Sequence, residues 1–298
     1  MADVEIRAFR PEDIGPAFAI LAEEQQEIGE PELSEGMFAN IVAIADASYA
    51  AELGGELVGD AHIRGTSIDI QVRKAERRRG IGTRLLRAVE EGTDAPVLRL
   101  GAPKAQPAAA AFSLANGYEK GWEVWLMGID LDETLEPPRW PDDVAVRTFR
   151  AEDAPLVKEL LDLAYAEERD HEPMSFEDWK TFMLGDPSFD PSSWFLAEAE
   201  GELAAAILNW DDGFVKDLVV HPERRRRGLG EGLMRHTFRE FRRRGHDRVT
   251  LKTDSVNPTE AWRLYERLGM RKERMYEMFE KTRPLGTPGS DPSVENRG

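Results

Sequence analysis

The hydrophobic and polar residues of the C-terminal half follow the short periods of an α/β structure. Six segments are short and either apolar or alternating, which is typical of strands: 144–149, 194–198, 203–210, 214–220, 248–252 and 275–280. Four segments between these strands have the apolar spacing or the end signals of helices. One begins at Asp153, and the others cover 173–184, 229–244 and 258–268. The order strand, two helices, three strands, helix, strand, helix, strand predicts an α/β fold, a mixed sheet flanked by helices.

Two of these helices carry further signals. The helix that Asp153 opens is predicted to bury one face formed by Leu156, Leu160, Leu163 and Ala164. The helix over 258–268 has proline at its start and a glycine just after its end, the usual asymmetry of helix termini.

The N-terminal half repeats the C-terminal half. The matching pairs are VEIRAFRPED (4–13) with VAVRTFRAED (144–153), YAAELGGELVG (49–59) with FLAEAEGELAA (195–205), and ERRRGIG (76–82) with RRRRGLG (224–230). Their offsets, 140, 146 and 148 residues, grow slowly and in chain order, which indicates duplication of one unit. We therefore expect residues 4–13 and 144–153 to occupy the same topological position.

The repeat predicts two tandem domains. The first unit covers residues 1–135 and the second covers 144–283. Residues 131–143 are acidic, contain three prolines and lack periodicity, so 136–143 are predicted to be a linker. Residues 284–298 are rich in Pro, Gly and Ser and are predicted to form a flexible tail.

Composition narrows the function classes. The 298 residues include no cysteine, which excludes disulfides, thiolate metal sites and a cysteine nucleophile. The net charge of −18 disfavours general binding to nucleic acid or to an anionic membrane. No apolar run approaches the roughly 20 residues of a membrane helix, and the charged N-terminus lacks a signal core, so we expect a cytoplasmic protein.

One loop combines a strand end, basic residues and glycines at a helix start. The segment VVHPERRRRGLGEGLM (219–234) places Gly228 and Gly230 where unpaired backbone N–H groups and a positive dipole end are found. Glycine permits close approach of a ligand, so the loop is suited to cradle a pyrophosphate. A tight strand–helix turn with a solvated arginine run accounts for the same residues. Nucleic-acid binding is a third interpretation, which the acidic surroundings disfavour.

This loop resembles that of the GCN5-related N-acetyltransferases (GNATs), which hold acetyl-coenzyme A (acetyl-CoA) with (Arg/Gln)-x-x-Gly-x-(Gly/Ala) after a strand ending in Val-x-Pro. Here RRRGLG at 225–230 follows VHP at 220–222. The family's later motif, Asn, then Ala four residues on, then Leu-Tyr-Glu-x-Leu-Gly-Phe, resembles Asn257, Ala261 and LYERLGM at 264–270, where a methionine replaces the aromatic residue. The resemblance covers 144–283.

The resemblance implies acetyl-CoA as co-substrate and a set of contacts for it. The strand before the loop would pair with the pantetheine arm, and the loop amides would hold the pyrophosphate. The implied contacts in the second unit are Leu218, Val219, Val220, Arg225, Arg226, Arg227, Gly228, Leu229, Gly230, Asn257 and Ala261. The first unit keeps the loop, which adds Arg77, Arg78, Arg79, Gly80, Ile81 and Gly82.

Acetyl transfer to an amine needs a base for the amine and an acid for the thiolate leaving group. By resemblance, Tyr265 is the acid, although a core tyrosine would look the same. Asp217 is the candidate base, with Glu198 and Asp212 as weaker candidates. An ordinary strand acid paired with Lys216 is the alternative interpretation of Asp217.

The first unit keeps only part of these motifs. The strand before its loop ends in Val-Arg-Lys and lacks the proline. An alignment on Gly117 and Gly269 puts Ser113 at the place of Tyr265 and Ala105 at the place of Asn257. We therefore expect the chemistry in the second unit and a structural or second coenzyme-binding role for the first.

The remaining polar residues carry weaker signals. Five scattered histidines, His171 and His221 among them, have no metal-ligand spacing, so no metal is expected. The acidic residues Glu167, Glu168, Asp170 and Glu172 would border the acceptor pocket in this family. They either attract a cationic amine or form a solvated charge run.

Two function classes follow from these observations. The first is an N-acetyltransferase acting on an amine of a small molecule or peptide, and the second is a non-catalytic acetyl-CoA sensor. Among enzymes, the tandem layout resembles the mycothiol synthases, which acetylate a cysteinyl pseudodisaccharide. A tyrosine and an asparagine retained in one unit favour an enzyme. The acceptor and the oligomeric state do not follow from the sequence.

Overall fold

The computed structural model describes residues 3–29, 33–167 and 174–283. The strands are β1 (Val4–Ala8), β2 (Ala47–Leu53), β3 (Glu56–Arg64), β4 (Ser67–Val72), β5 (Val97–Pro103), β6 (Glu119–Asp130), β7 (Val144–Thr148), β8 (Phe195–Ala199), β9 (Glu202–Asn209), β10 (Phe214–Val220), β11 (Arg248–Asp254) and β12 (Arg271–Thr282). The helices are α1 (Ile14–Ile28), α2 (Glu35–Ala43), α3 (Ile81–Glu91), α4 (Pro107–Ala115), α5 (Ala154–Tyr165), α6 (Phe176–Leu184), α7 (Leu229–Arg243) and α8 (Ala261–Arg267).

These strands form one mixed sheet in the order β1-β2-β3-β4-β5-β12-β6-β11-β10-β9-β8-β7. Parallel pairing occurs between β4 and β5 and between β10 and β11, while the other described pairs are antiparallel. The predicted α/β class is confirmed. Residues 4–13 and 144–153 both form an edge strand followed by a short 3₁₀ turn, so they occupy the same topological position.

The two units exchange their last strands. β12, at the end of the second unit, lies between β5 and β6, and β6 pairs with β11 of the second unit. Because β12 has a partner on each side, it extends well beyond the predicted 275–280. The boundaries 1–135 and 144–283 therefore stay a prediction from the repeat, and the sheet crosses them.

At each edge of the sheet, a triad of arginine, aspartate and glutamate links the edge strand to its neighbours. An arginine of the edge strand contacts an aspartate of the next turn and a glutamate of the neighbouring strand, with N–O distances of 2.6–2.9 Å. The triads are Arg7–Asp13–Glu52 and Arg147–Asp153–Glu198. The hydrogen bond from Arg147 holds the pKa of Asp153 below its usual value. Glu198 thus has a structural partner.

Helices cover both faces of the sheet. One of them, α5, buries a different stripe of apolar residues from the one that the sequence predicts. Leu160 and Ala164 are buried as expected, together with Val157, whereas Leu156 and Leu163 are 54% and 42% exposed. The sequence offers apolar residues on two overlapping stripes of α5. Contact with β9, β10 and α6 selects between them.

The predicted linker packs along α7. Leu131 is buried and Leu135 lies against the same core as α7. The ring of Trp140 lies directly on the backbone of Gly232. Residues 131–143 therefore form an ordered strap, and this name is used below. The predicted tail, 284–298, and Pro173, the predicted start of α6, lie outside the described residues.

A buried polar network distinguishes the first unit from the second. His62 Nδ1 lies 2.8 Å from Ser48 Oγ and its Nε2 lies 2.9 Å from Asp60 Oδ2, which also accepts a hydrogen bond from Gln71. Asp60 is 0% exposed, and its Oδ1 and Gln71 Oε1 have no hydrogen-bond partner. The corresponding residues of the second unit are apolar and buried: Trp194, Ala206, Leu208 and Val219.

Asp60→Ala is expected to lower the free energy of unfolding by about 3–5 kcal/mol, because it leaves the His62 and Gln71 side chains buried without their partner. Urea denaturation followed by circular dichroism measures this. The triple variant Asp60→Ala, His62→Leu, Gln71→Val, which copies the second unit, should recover most of the loss. An Asp60→Ala protein as stable as the wild type would show that the network contributes nothing to stability.

Candidate active site

β10 and β11 diverge at the place where the sequence predicts pantetheine binding. They pair only at Phe214 with Thr250 and at Val215 with Leu251. β10 then continues to Val220, with a register shift against β9 between Val215 and Asp217. Residues 218–220 therefore have no strand partner on the β11 side within the described sheet. Free backbone groups at such an edge can pair with an extended ligand.

The first unit has a similar gap with two differences. β4 and β5 pair only at Ser67 with Arg99 and at Ile68 with Leu100. The pairing of β4 with β3 shows no register shift. In addition, the Arg77 side chain donates from Nε to the carbonyl oxygen of Val72, 2.9 Å away. One backbone group at this edge therefore already has a partner.

The two glycine-containing loops have the same backbone conformation. The φ angle is +64° at Arg226 and +83° at Gly228, against +67° at Arg78 and +80° at Gly80. Each glycine is the N-terminal cap of its helix, α7 or α3. A Cβ atom on Gly228 would meet no atom within 4 Å, so the space above the start of α7 is open. Both loops fit an anion at a helix N-terminus.

Ion pairs hold most of the second loop's arginines in place. Their partners lie in a hairpin turn, two residues after α5 and in the strap: Arg224–Glu200 at 2.8 Å, Arg225–Glu167 at 3.2 Å and Arg227–Asp143 at 2.7 Å. Arg226 is exposed and has no ion pair with any described residue. Three of the four arginines at 224–227 are thus ion-paired rather than simply solvated.

Asn257 shapes the start of α8. Its Oδ1 accepts hydrogen bonds from the N–H and hydroxyl of Thr259, and Glu260 has a left-handed φ of +49°. The helix therefore begins at Ala261 rather than at residue 258. A Cβ atom on Gly230 would lie 3.5 Å from Leu264, so α8 packs against the first turn of α7.

The backbone confirms the expected equivalence of Tyr265 and Ser113. Each residue's carbonyl accepts a hydrogen bond from the N–H five residues later in the chain. Met270 donates to Tyr265 at 3.0 Å, and Tyr118 donates to Ser113 at 3.1 Å. Tyr265 is 7% exposed and lies in the core cluster beside the diverging strands. The Ser113 hydroxyl donates to the Ala109 carbonyl within its own helix.

The expected equivalence of Ala105 and Asn257 stays a prediction. The carbonyl of Asn257 accepts the N–H of Glu260, and the carbonyl of Glu260 accepts the N–H of Arg263, both at 2.9 Å. The first unit has two such turns before its helix, at Pro103–Gln106 and Gln106–Ala109. Because α4 begins earlier relative to its strand than α8 does, the residues between strand and helix differ in number in the two units.

Asp217, the candidate base, has a partner that sequence reasoning missed. The hydroxyl of Tyr165, the last residue of α5, donates to Asp217 Oδ1 at 2.9 Å, and Lys216 Nζ lies 3.8 Å from the carboxylate. The Asp217 side chain is 12% exposed. A tyrosine at the end of α5 is the only sequence signal for this contact.

Asp212, a weaker base candidate like Glu198, has a local structural role, because its Oδ1 accepts the N–H of Phe214 in a hairpin turn. His221 Nδ1 accepts the N–H of Glu223 at 3.3 Å in the turn before the loop.

Some expected features lie beyond the described chain. His171, Glu168, Asp170 and Glu172 are outside the described residues, and only Glu167 of the acidic stretch is described. Within the described ranges, no group of three or more His, Cys, Asp or Glu side chains is suited to hold a metal ion. The helices described there include none long and apolar enough to cross a membrane.

Comparison with known proteins gives a family for this arrangement. Residues 154–270 match the Acetyltransferase (GNAT) family. A mycothiol acetyltransferase from Thermobispora bispora is 34% identical over 244 residues, 76% of this chain and 81% of the relative. One from Thermomonospora curvata is 30% identical over 266 residues, 85% of this chain and 88% of the relative.

Solved structures share the fold across nearly the whole chain. A GCN5-related N-acetyltransferase from Sphaerobacter thermophilus has a TM-score of 0.72 at 24% identity, covering 94% of this chain and 96% of that one. A tandem GNAT protein from the clavulanic acid biosynthesis pathway has a TM-score of 0.69 at 19% identity, covering 96% and 100%. The chain therefore belongs to the GNAT family and is an N-acetyltransferase of its tandem type.

Proposed function

We propose that this protein transfers the acetyl group of acetyl-CoA to an amine of a small molecule or peptide, with the chemistry in the second unit. The observation that carries the proposal is the contrast at one helix position. Tyr265 lies beside the diverging strands, whereas its counterpart Ser113 is hydrogen-bonded to its own helix.

Binding would use backbone groups that the fold leaves without strand partners. The N–H groups at the start of α7 face a ligand phosphate, and the pantetheine amides pair with residues 218–220. An N–H group of β10 would then polarise the thioester carbonyl and stabilise the oxyanion. Leu218 and Val220 belong to this stretch of β10, and their side chains face the first turn of α7, within 4 Å of a Cβ placed on Gly230.

The transfer needs two proton movements. The amine nitrogen attacks the thioester carbon, the new C–N bond forms, and the C–S bond breaks. Asp217, directly or through water, accepts the proton that the amine loses, and Tyr265 donates a proton to the CoA thiolate. The Tyr165 hydroxyl donates a hydrogen bond to Asp217 Oδ1 at 2.9 Å and would hold the carboxylate in position for this role.

Turnover of acetyl-CoA against a panel of amines tests the proposed function. The panel holds polyamines, aminoglycosides, amino acids and peptides with free N-termini, and release of CoA thiol is the readout. Saturable turnover with at least one amine is expected. Tight acetyl-CoA binding with no turnover on any amine would support the non-catalytic sensor instead.

A cysteinyl pseudodisaccharide is the specific acceptor to add to this panel. The observation that favours it is the 30–34% identity to proteins named mycothiol acetyltransferase over most of both chains. If it is the acceptor, its kcat/KM exceeds that of every other amine in the panel. A higher kcat/KM for another amine class would assign the chain a different acceptor.

Asp217→Asn is expected to lower kcat/KM at neutral pH by about 10²–10⁴-fold, because the amide cannot accept the amine proton. The loss should shrink as the pH rises, since more of the amine is then already deprotonated. A pH–rate profile from neutral to alkaline pH measures both effects.

Tyr165→Phe is the matched control for this variant. It removes the hydrogen bond to Asp217 and keeps the carboxylate, so a much smaller loss is expected. Equal losses in stability in the two variants, with kcat/KM unchanged in both, would show that the pair only anchors α5 to β10.

A further inference from the structure

The strap, residues 131–143, is fastened to α7 along its length. Three arginines of α7 and its preceding loop bind the strap: Arg239 contacts the Leu135 carbonyl at 3.1 Å, Arg235 contacts Glu136 at 3.1 Å and Arg227 contacts Asp143 at 2.7 Å. The strap therefore ends beside the loop that is proposed to hold the pyrophosphate.

Trp140 brings an aromatic ring to the start of α7. A Cβ atom on Gly232 would lie 2.7 Å from Cε3 of Trp140, so only glycine lets the ring reach the helix backbone. The corresponding residue of α3, by the offset of the two loops, is Arg84. The glycine that lets the ring approach the helix is therefore present in α7 and absent from α3.

A cleft opens between the strap and the loop. Its volume is about 330 Å³, and it is lined by Arg139, Trp140 and Pro141 on one side and by Arg227, Gly228 and Glu231 on the other. Arg139 is exposed and has no ion pair with a described residue. Its guanidinium is therefore available to a ligand in the cleft.

The cleft lies on the opposite flank of α7 from the diverging strands. Gly230 faces Leu218, Val220 and Leu264, whereas Gly232 faces Trp140. Two residues apart in a helix of 3.6 residues per turn, they point to nearly opposite sides. If the pantetheine arm extends from the pyrophosphate along the Gly230 side of α7, the nucleotide end of the coenzyme can extend along the side that faces the strap.

We infer that this cleft receives the 3′-phosphoadenosine end of coenzyme A, with Trp140 against the adenine and Arg139 on the 3′-phosphate. The inference rests on the proposed function. An aromatic ring is the usual contact of a base in proteins, and a guanidinium matches phosphate oxygens in charge and geometry. Arg227 is already held by Asp143, so Arg139 is the cation for the phosphate.

Calorimetry with CoA and with 3′-dephospho-CoA tests this assignment. The wild type should bind CoA more tightly than the dephosphorylated form. Arg139→Gln should weaken CoA binding roughly tenfold, the effect of one charge-assisted hydrogen bond, and leave 3′-dephospho-CoA binding unchanged. Trp140→Ala should weaken both ligands by a similar factor, and Trp140→Phe should weaken both less.

Arg235→Gln is the matched control, because Arg235 binds the strap at Glu136 and does not line the cleft. It should keep the wild-type ratio of the two affinities. An unchanged ratio in Arg139→Gln would overturn the assignment and leave the proposed function standing, with Trp140 only packing the strap on α7. A wild type that binds neither ligand would overturn the proposed function itself.

Discussion

Replacing Tyr265 by phenylalanine is expected to lower kcat by about 10²–10⁴-fold, the usual contribution of general acid catalysis. The substitution removes the hydroxyl that is proposed to protonate the departing thiolate and keeps the ring, which fills the core beside Leu229 and Met270. The affinity for acetyl-CoA should change little, since the proposed contacts of the pantetheine and pyrophosphate are backbone groups. Steady-state kinetics and calorimetry separate the two quantities.

Tyr118→Phe is the matched control for this substitution. Tyr118 is a buried tyrosine of the first unit whose hydroxyl bonds to Glu90, and burial raises its pKa above the usual value. The same chemical change there should affect stability and leave kcat within a factor of about two.

Gly80→Asp, in the first loop, separates the roles of the two units. It should preserve most of the turnover, provided that circular dichroism shows an intact fold. If Gly80→Asp abolished turnover while Tyr265→Phe had no effect, the chemistry would belong to the first unit.

Gly228→Asp is expected to abolish measurable coenzyme binding, a loss of at least roughly 100-fold. The substitution puts a carboxylate into the open space above the start of α7, where the pyrophosphate is proposed to lie. Like charges brought together at a binding site cost several kcal/mol, and each 1.4 kcal/mol is about tenfold in affinity. Calorimetry with CoA measures the loss.

Gly245→Asp controls for the cost of the backbone conformation. Gly245 follows the other end of α7 and has a φ of +93°, and a Cβ atom placed on it would meet no atom within 4 Å. It therefore carries the same strain and the same added charge away from the loop. A Gly228→Asp protein that folds and binds CoA as well as the Gly245→Asp protein would remove the pyrophosphate assignment from this loop.

Local patterns made most of the second unit predictable. The hairpin of β8 and β9, the strand β10 and the helix α7 lie within one or two residues of their predicted bounds. Their signals are contained in short stretches of chain: alternation in strands, and glycine where a turn requires a positive φ. The errors lie where a side chain or a neighbour competes, as at α8, whose start is delayed by the turn that Asn257 forms with Thr259.

The candidate site was predictable where it consists of contiguous motifs. The loop at 225–230 carries its own signal of glycines and arginines, and the pair Asn257 and Tyr265 follows from the resemblance to the GNAT motif. Tyr165 was missed because it meets Asp217 across 52 residues, and neither residue's surroundings in the chain mark the other. The sequence predicts a linker over 136–143 but not its packing on α7, because nothing in the neighbouring residues indicates that Trp140 lies on Gly232.

The sequence by itself determined the duplication, the order of strands and helices, the two glycine loops and the loss of the tyrosine in the first unit. The tertiary structure alone decided the exchange of β6 and β12, the buried stripe of α5, and the packing of the strap on α7. The physical reason is the range of the interactions. Turns, caps and amphipathic periods act within a few residues, whereas a strand's alternation does not specify its neighbour, and only packing of the whole sheet selects it.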